Sequence, residues 1–212
     1  MKIKEVSALL NKVGIPTICE GNCLKEIMEP YNNFSQLMFN GEKWLYGTCM
    51  VERRNTPYFE VNEEFNSEEE GANYYFLDKL SLYYFSTKVD PFIKMHDEFD
   101  IHGPKFNEAK LLQAMAILSI PTRYFVTDPS QITIGERCIM LMEKDQGKSV
   151  VSFVGRSGKV ILHSVPMMNQ LALFYAFREV YLLYLYETEV KKLFISENIK
   201  NDISEEEIYI FL

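Results

Sequence analysis

Apolar residues recur at helical spacing from Lys4 to Val13, where Val6, Leu9, Leu10 and Val13 share one face and Gly14 with Pro16 ends the run. Asn22 to Glu29 reads as a short second helix closed by Pro30. The period then changes. Phe34 to Phe39, Trp44 to Val51 and Tyr58 to Val61 read as strands. Asn40-Gly41 is a hairpin turn between the first two, and Asn55-Thr56-Pro57 separates the second from the third. Ser67 and Glu70 have capping-box spacing, and Ala72, Phe76, Leu80 and Tyr83 then fall on one helical face. Phe76, Leu80, Leu82 and Tyr84 leave a strand open in the same region, but the helix is favoured.

The stretch from Asp97 to Lys105 is polar and contains Gly103-Pro104, which makes it the best boundary. It separates an acidic N-terminal α+β half, residues 1–100, from a C-terminal α+β half, residues 106–212. Asn107 caps a helix that runs through Leu118 and ends at Pro121. Tyr124–Val126, Ile132–Ile134, Arg137–Glu143, Ser149–Val154 and Lys159–His163 read as strands. Turns at Asp145-Gln146-Gly147 and Gly155-Arg156-Ser157-Gly158 make the last three an antiparallel meander. Pro166 precedes a long helix from about Met168 to Leu193.

Within that helix, Leu171 to Tyr186 is apolar almost all the way round. A helix of this kind has to be covered on most faces. One face is expected on the meander, and Arg178-Glu179 marks the face least suited to a core. Tyr175, Tyr181, Leu182 and Tyr186 then need a neighbour, from the first half or from another chain. Ile208-Tyr209-Ile210-Phe211-Leu212, behind Ser204 and three glutamates, reads as an adhesive β segment. It is expected to dock on its own sheet or in a partner, which adds Tyr209 and Phe211 to the binding candidates.

The order helix, strands, helix occurs twice, and the strands are joined by short turns. The fold class expected is α+β, with mainly antiparallel sheet and helices packed on one face, and with two similar halves as a possible origin. No matching residue pattern is visible in the sequence to support that origin.

Charge narrows the function. The net charge is −8, with seventeen Asp/Glu against eleven Lys/Arg in residues 1–106. Such a chain repels phosphate backbones, so direct nucleic-acid binding is not expected, and a basic protein partner suits it better. Fifteen Phe and thirteen Tyr supply contact area for cores and interfaces. The four cysteines at 19, 23, 49 and 138 form no disulfide framework, and the N-terminus has no apolar signal core. A cytoplasmic setting with free thiols is expected, and no apolar run is long enough to span a membrane.

Candidate chemistry is sparse. Gly155-Arg156-Ser157-Gly158-Lys159 and Gly147-Lys148-Ser149 resemble phosphate loops. Strands follow both, where a phosphate loop needs a helix N-terminus. His96-Asp97-Glu98-Phe99-Asp100-Ile101-His102 is the densest set of metal-ligand residue types. If extended, it would point His96, Glu98, Asp100 and His102 to one side. Cys19 and Cys23 lack a second pair, His163 reads as a strand histidine, and no nucleophile elbow is present. The expectation is a non-enzymatic protein-binding protein without a cofactor, of adaptor, chaperone or inhibitor type. A metal-dependent enzyme using His96, Asp100 and His102 is the first alternative, and a structural subunit of a homo-oligomer the second.

Overall fold

Between Pro16 and Asn66, short extended segments are separated by turn residues, and they pair in sequence order. The computed structural model describes residues 1–52, 56–144, 147–199 and 203–212. Asn55, Asp145 and Gln146, in two of the expected turns, lie outside these residues. The chain divides into two compact units, Met1–Tyr83 and Tyr84–Leu212. The division falls at the end of a helix, and Gly103-Pro104 lies within the second unit.

In the N-terminal unit, helix α1 (Ile3–Val13) ends on Gly14, whose φ of 99° is the left-handed conformation glycine adopts freely. Strands β1 (Thr17–Glu20), β2 (Cys23–Glu26), β3 (Phe34–Phe39), β4 (Trp44–Met50) and β5 (Tyr58–Phe65) form one antiparallel sheet in that order. The helix expected over 22–29 is strand β2 instead. Leu24 is the one buried side chain of the segment, opposite Cys19 and Leu37, and Gly21 at φ 59° turns the chain between β1 and β2. One apolar anchor suits a pleated strand, whereas a helix needs a stripe. At Gly47, beside a bulge, a Cβ would lie 2.0 Å from the Glu60 carbonyl oxygen, so only glycine allows β5 this close.

Helices α1 and α2 (Glu68–Tyr84) lie on one face of this sheet. Ser7 of α1 meets the Thr17 hydroxyl at 3.1 Å. From α2, Lys79 donates to Ser35 Oγ at 2.6 Å, the Tyr75 hydroxyl donates to the Ser35 carbonyl, and Gly71 sits on Leu37. Ser35, Leu37 and Phe39 therefore point to the helices, with their partners Thr48, Tyr46 and Trp44.

The C-terminal unit opens with a π-helical turn, Phe85–Val89, then α3 (Asp90–Met95) and α4 (Glu108–Ile117), whose first turn is capped by Asn107. Strands β6 (Phe125–Val126), β7 (Cys138–Glu143), β8 (Lys148–Val154), β9 (Val160–His163) and β10 (Met167–Met168) form a second sheet. Only the β6–β7 pair is parallel. Ile132–Ile134, expected as a strand, belongs instead to the connection between β6 and β7, after a 3-10 turn at Pro129–Gln131. Helix α5 (Asn169–Leu185) packs on β7 and β8 and is followed by a π-helical turn, Tyr186–Val190, and α6 (Lys191–Ser196).

The expected C-terminal strand is a helix, α7 (Glu205–Phe211). Ser204 accepts from the Glu207 N–H, and the Glu207 carboxylate accepts from Ser204 N–H at 2.7 Å. This capping box fixes the first turn and buries Ile208 and Phe211 three residues apart. Among the described residues no helix is long and apolar enough to cross a membrane. The fold is α+β, with two mostly antiparallel sheets.

Candidate functional site

The binding candidates on the aromatic helix are core residues of the C-terminal unit. Tyr181, Leu182 and Tyr186 are buried, as is Phe211 of α7, and Phe211 packs on Tyr186 with ring centroids 5.7 Å apart. Tyr209 is half-buried over Phe153. Tyr175 is half-buried beneath the Arg178 guanidinium, 4.7 Å from its ring. Sheet, α3 and α7 cover Tyr181, Leu182 and Tyr186, which with Phe211 are core residues and not the binding surface expected of them, while Tyr175 and Tyr209 stay partly exposed.

Arg178-Glu179 does not mark a solvent face either. Glu179 is 4% exposed, and burial pushes its carboxyl up to about 7 although Arg178 lies 3.6 Å away. Arg178 turns toward Tyr175 and donates to the Leu212 carbonyl at 2.9 Å.

The His96–His102 segment is not extended. Asp97–Phe99 is a single 3-10 turn, and Asp100 follows in the left-handed conformation at φ 58°. His96 pairs with Glu98 at 2.9 Å and lies against the Phe92 ring. Asp100 accepts from the Lys105 N–H at 2.9 Å, and the His102 ring lies on Phe174. The turn sends the two imidazoles to different aromatic neighbours. Among the described residues no group of three or more His, Cys, Asp or Glu is placed to hold a metal ion.

A polar cleft of about 180 Å³ in the C-terminal unit is lined by Arg123, Arg137, Arg156, Glu136 and Glu187. Its cations are already matched. Arg137 grips Glu205 through two nitrogens at 2.7 and 3.0 Å and donates to Glu187, which also accepts from Lys191. Burial raises the Glu187 carboxyl, but the hydrogen bonds from Lys191 and Arg137 outweigh it and hold the group below its ordinary value. The network joins the π-helical turn to α7 and the start of β7.

The remaining surface is the outer face of the N-terminal sheet. Strand alternation turns Ile18, Cys23, Lys25, Phe34, Gln36, Met38, Leu45, Cys49, Phe59 and Val61 away from the helices. The Gln36 amide 3.4 Å from Met38 sulfur confirms the shared face of β3. Ile18 and Val61 are exposed, and Phe34, Met38, Leu45 and Phe59 are half-exposed. The two lysines on this face are neutralised in place. Lys25 pairs with Glu20 at 2.8 Å and Lys43 with Glu64 at 2.9 Å, and each carboxylate holds its lysine above the ordinary value.

At one end the face opens into a groove of about 400 Å³. Ile18, Lys25 and Phe34 form its floor, and Ile27, Met28 and Tyr31 of the β2–β3 connection form its wall. Tyr31 is 81% exposed and sits at φ 72°, a conformation that costs a tyrosine on the order of 1 kcal/mol or more. Beside the face, β5 is an edge strand paired through β4, and Glu60, Glu63 and Glu64 are all exposed along it.

The sequence reading missed this face because Phe34 to Phe39 and Trp44 to Met50 are apolar on both sides of the pleat. A strand of that kind reads as fully buried. The available signal was the mismatch between two such strands and too few helices to cover both sides. No protein-family model matches the chain, and no curated protein or solved structure is similar to it.

Proposed function

We propose that the chain is a protein-binding module that acts through the outer face of its N-terminal sheet. The carrying observation is the contiguous apolar patch of Ile18, Phe34, Met38, Leu45, Phe59 and Val61, with a groove at its end. Contiguous patches of a few hundred Å² on a folded surface mark places where another molecule sits. Their residue types, aliphatic and aromatic with Met, are those of interface cores. The net negative charge of residues 1–83, thirteen Asp/Glu against eight Lys/Arg, favours a partner carrying Lys or Arg.

A photo-crosslinking amino acid at position 38 or 59, with position 165 as an exposed control, tests the reading in cells. Discrete adducts with another protein at 38 and 59, absent at 165 and lost when Phe34→Glu is added, are the expected result. Equal labelling at all three positions would overturn it.

A further inference from the structure

We infer that the outer face of the N-terminal sheet receives a short apolar segment of another protein, flanked by Lys or Arg and seated as residues 127–137 are seated on the C-terminal sheet. This rests on the protein-binding reading above and names the occupant.

The two halves repeat one plan. A helix of 11 or 10 residues leads each, α1 or α4. Strands of six and seven residues pair antiparallel in each, β3 with β4 and β7 with β8. Then come 17 helical residues, a five-residue π-helical turn and six more helical residues, in α2 to α3 and again in α5 to α6. Rare π-helical turns at the same place in both runs set the alignment. On it, Tyr74, Phe76, Leu82, Tyr83, Thr87 and Val89 match Tyr175, Phe177, Leu183, Tyr184, Thr188 and Val190, each pair 101 residues apart. Asp78 falls on Glu179.

The halves differ at the face turned away from the helices. In the C-terminal sheet that face is a dry cluster of Val126, Cys138, Met140 and Val154, all at or below 4% exposure. Ile132, in the connection between β6 and β7, packs against it. This connection is pinned by Asp128, which accepts from Ser130 N–H at 2.8 Å, and by Gly135, which donates to the Arg156 carbonyl. Its counterpart between β2 and β3, residues 27–33, joins an antiparallel pair and turns back at the end of the strands, where Ile27, Met28 and Tyr31 form the wall of the groove, whereas the parallel β6 and β7 need a connection that crosses over. One half therefore rests Ile132 of its own connection on its outer face, and the other leaves Ile18, Phe34 and Met38 of the same kind of face partly or fully exposed.

Size selects a segment as the occupant. Strands about 4.8 Å apart and about six residues long at about 3.3 Å per residue make a five-stranded face of roughly 20 by 20 Å, or roughly 400 Å² in plan. That is about half of the ~800 Å² each partner contributes to a stable interface between folded proteins. A crossing segment with one or two aliphatic anchors fills it. Charge selects the flanks, because residues 1–83 hold thirteen Asp/Glu against eight Lys/Arg, and the exposed Glu29 lines the groove.

The test is an NMR titration of the full chain with three synthetic peptides: residues 127–137, the same peptide with two lysines at each end, and a form with Ser in place of Ile132 and Ile134. The isoleucine peptides are expected to shift the resonances of Ile18, Phe34, Met38, Leu45 and Phe59. The lysine-flanked one is expected to bind roughly two- to fivefold tighter at low salt, with the gain lost at high salt. Equal shifts from the serine peptide, or shifts confined to other surfaces, would overturn the inference. So would no binding by any peptide. If crosslinks to another protein at position 38 persist in that case, the protein-binding reading survives and only the segment fails. Crosslinks solely to a second copy of the chain would replace the segment with self-association.

Discussion

The Tyr46 hydroxyl donates to Asp78 Oδ2 at 2.6 Å, tying β4 to α2 on the helix side of the N-terminal sheet. Burial, followed by the nearby Asp78 charge, pushes the phenol well above its ordinary range, so Tyr46 keeps the proton it donates. Tyr46→Phe keeps the ring packing on Tyr74 and Tyr75 and removes the hydroxyl's bonds to Asp78 and to the Ser35 side chain. A loss of about 1–2 kcal/mol in urea denaturation is expected. A loss below about 0.3 kcal/mol would show that water replaces the phenol without cost.

Glu179 stands where the repeated plan puts Asp78 but has no comparable donor, and its carboxyl is pushed up to about 7 by burial. The folded state therefore holds a proton that the unfolded chain releases near its ordinary value of 4.5. The group's contribution is fully present below that value and is lost as pH rises through about 7. Glu179→Gln is expected to remove this loss and to raise stability at pH 8 by about 1–3 kcal/mol, with little change at pH 5. Thermal melts of both proteins across pH 5–8 check it, and parallel curves would refute the ionisation argument.

Arg137 gives the opposite sign. Glu187, held below its ordinary value against its own burial, contributes stability that is present above the unfolded value of 4.5 and is lost as pH falls through the folded one. Arg137→Ala leaves Glu187 and Glu205 without their shared cation, and should cost about 3–5 kcal/mol near neutral pH. The penalty should shrink as the carboxyls protonate in acid. A melting curve series from pH 7 to 3 measures it, and a penalty that stays constant would contradict the network.

Ser204 secures the first turn of α7 through its bond from the Glu207 N–H at 3.1 Å. Ser204→Ala should cost about 1 kcal/mol. Amide exchange of residues 208–212 should quicken by roughly fivefold if α7 opens on its own. Unchanged exchange would mean that Ile208 and Phe211 hold the helix without its cap.

Two of the helices were legible from a stripe and a cap together. Asn107 with the Ala- and Leu-rich run that follows, and Ser67 before Ala72 and Phe76, lead to α4 and α2. The misses have physical causes of their own. Ile208 to Leu212 is composed of strand formers, yet a capping box at Ser204 and burial of Ile208 and Phe211 on one side make it helical. Ile132 to Ile134 alternates like a strand but finds its apolar contact in a side-chain cluster, outside the paired strands of the sheet. Glu179 reads as a polar break in an apolar helix, and it is buried on the covered side of α5, as are Ala176, Leu182 and Leu183 one turn away.

By itself the sequence determined an α+β fold with antiparallel meanders, a long helix requiring cover on most sides, and an acidic chain. These follow from periodicity, turn residues and charge, which act over a few residues at a time. Only the tertiary structure decided where the cover comes from. Burial is set by elements far apart in the chain, so it places the aromatic helix, Tyr186 and Phe211 included, in a closed core. The same physics leaves Phe34, Met38 and Phe59 on a sheet face that the connection after β2 does not cross, because β2 and β3 are antiparallel and it turns back at their shared end.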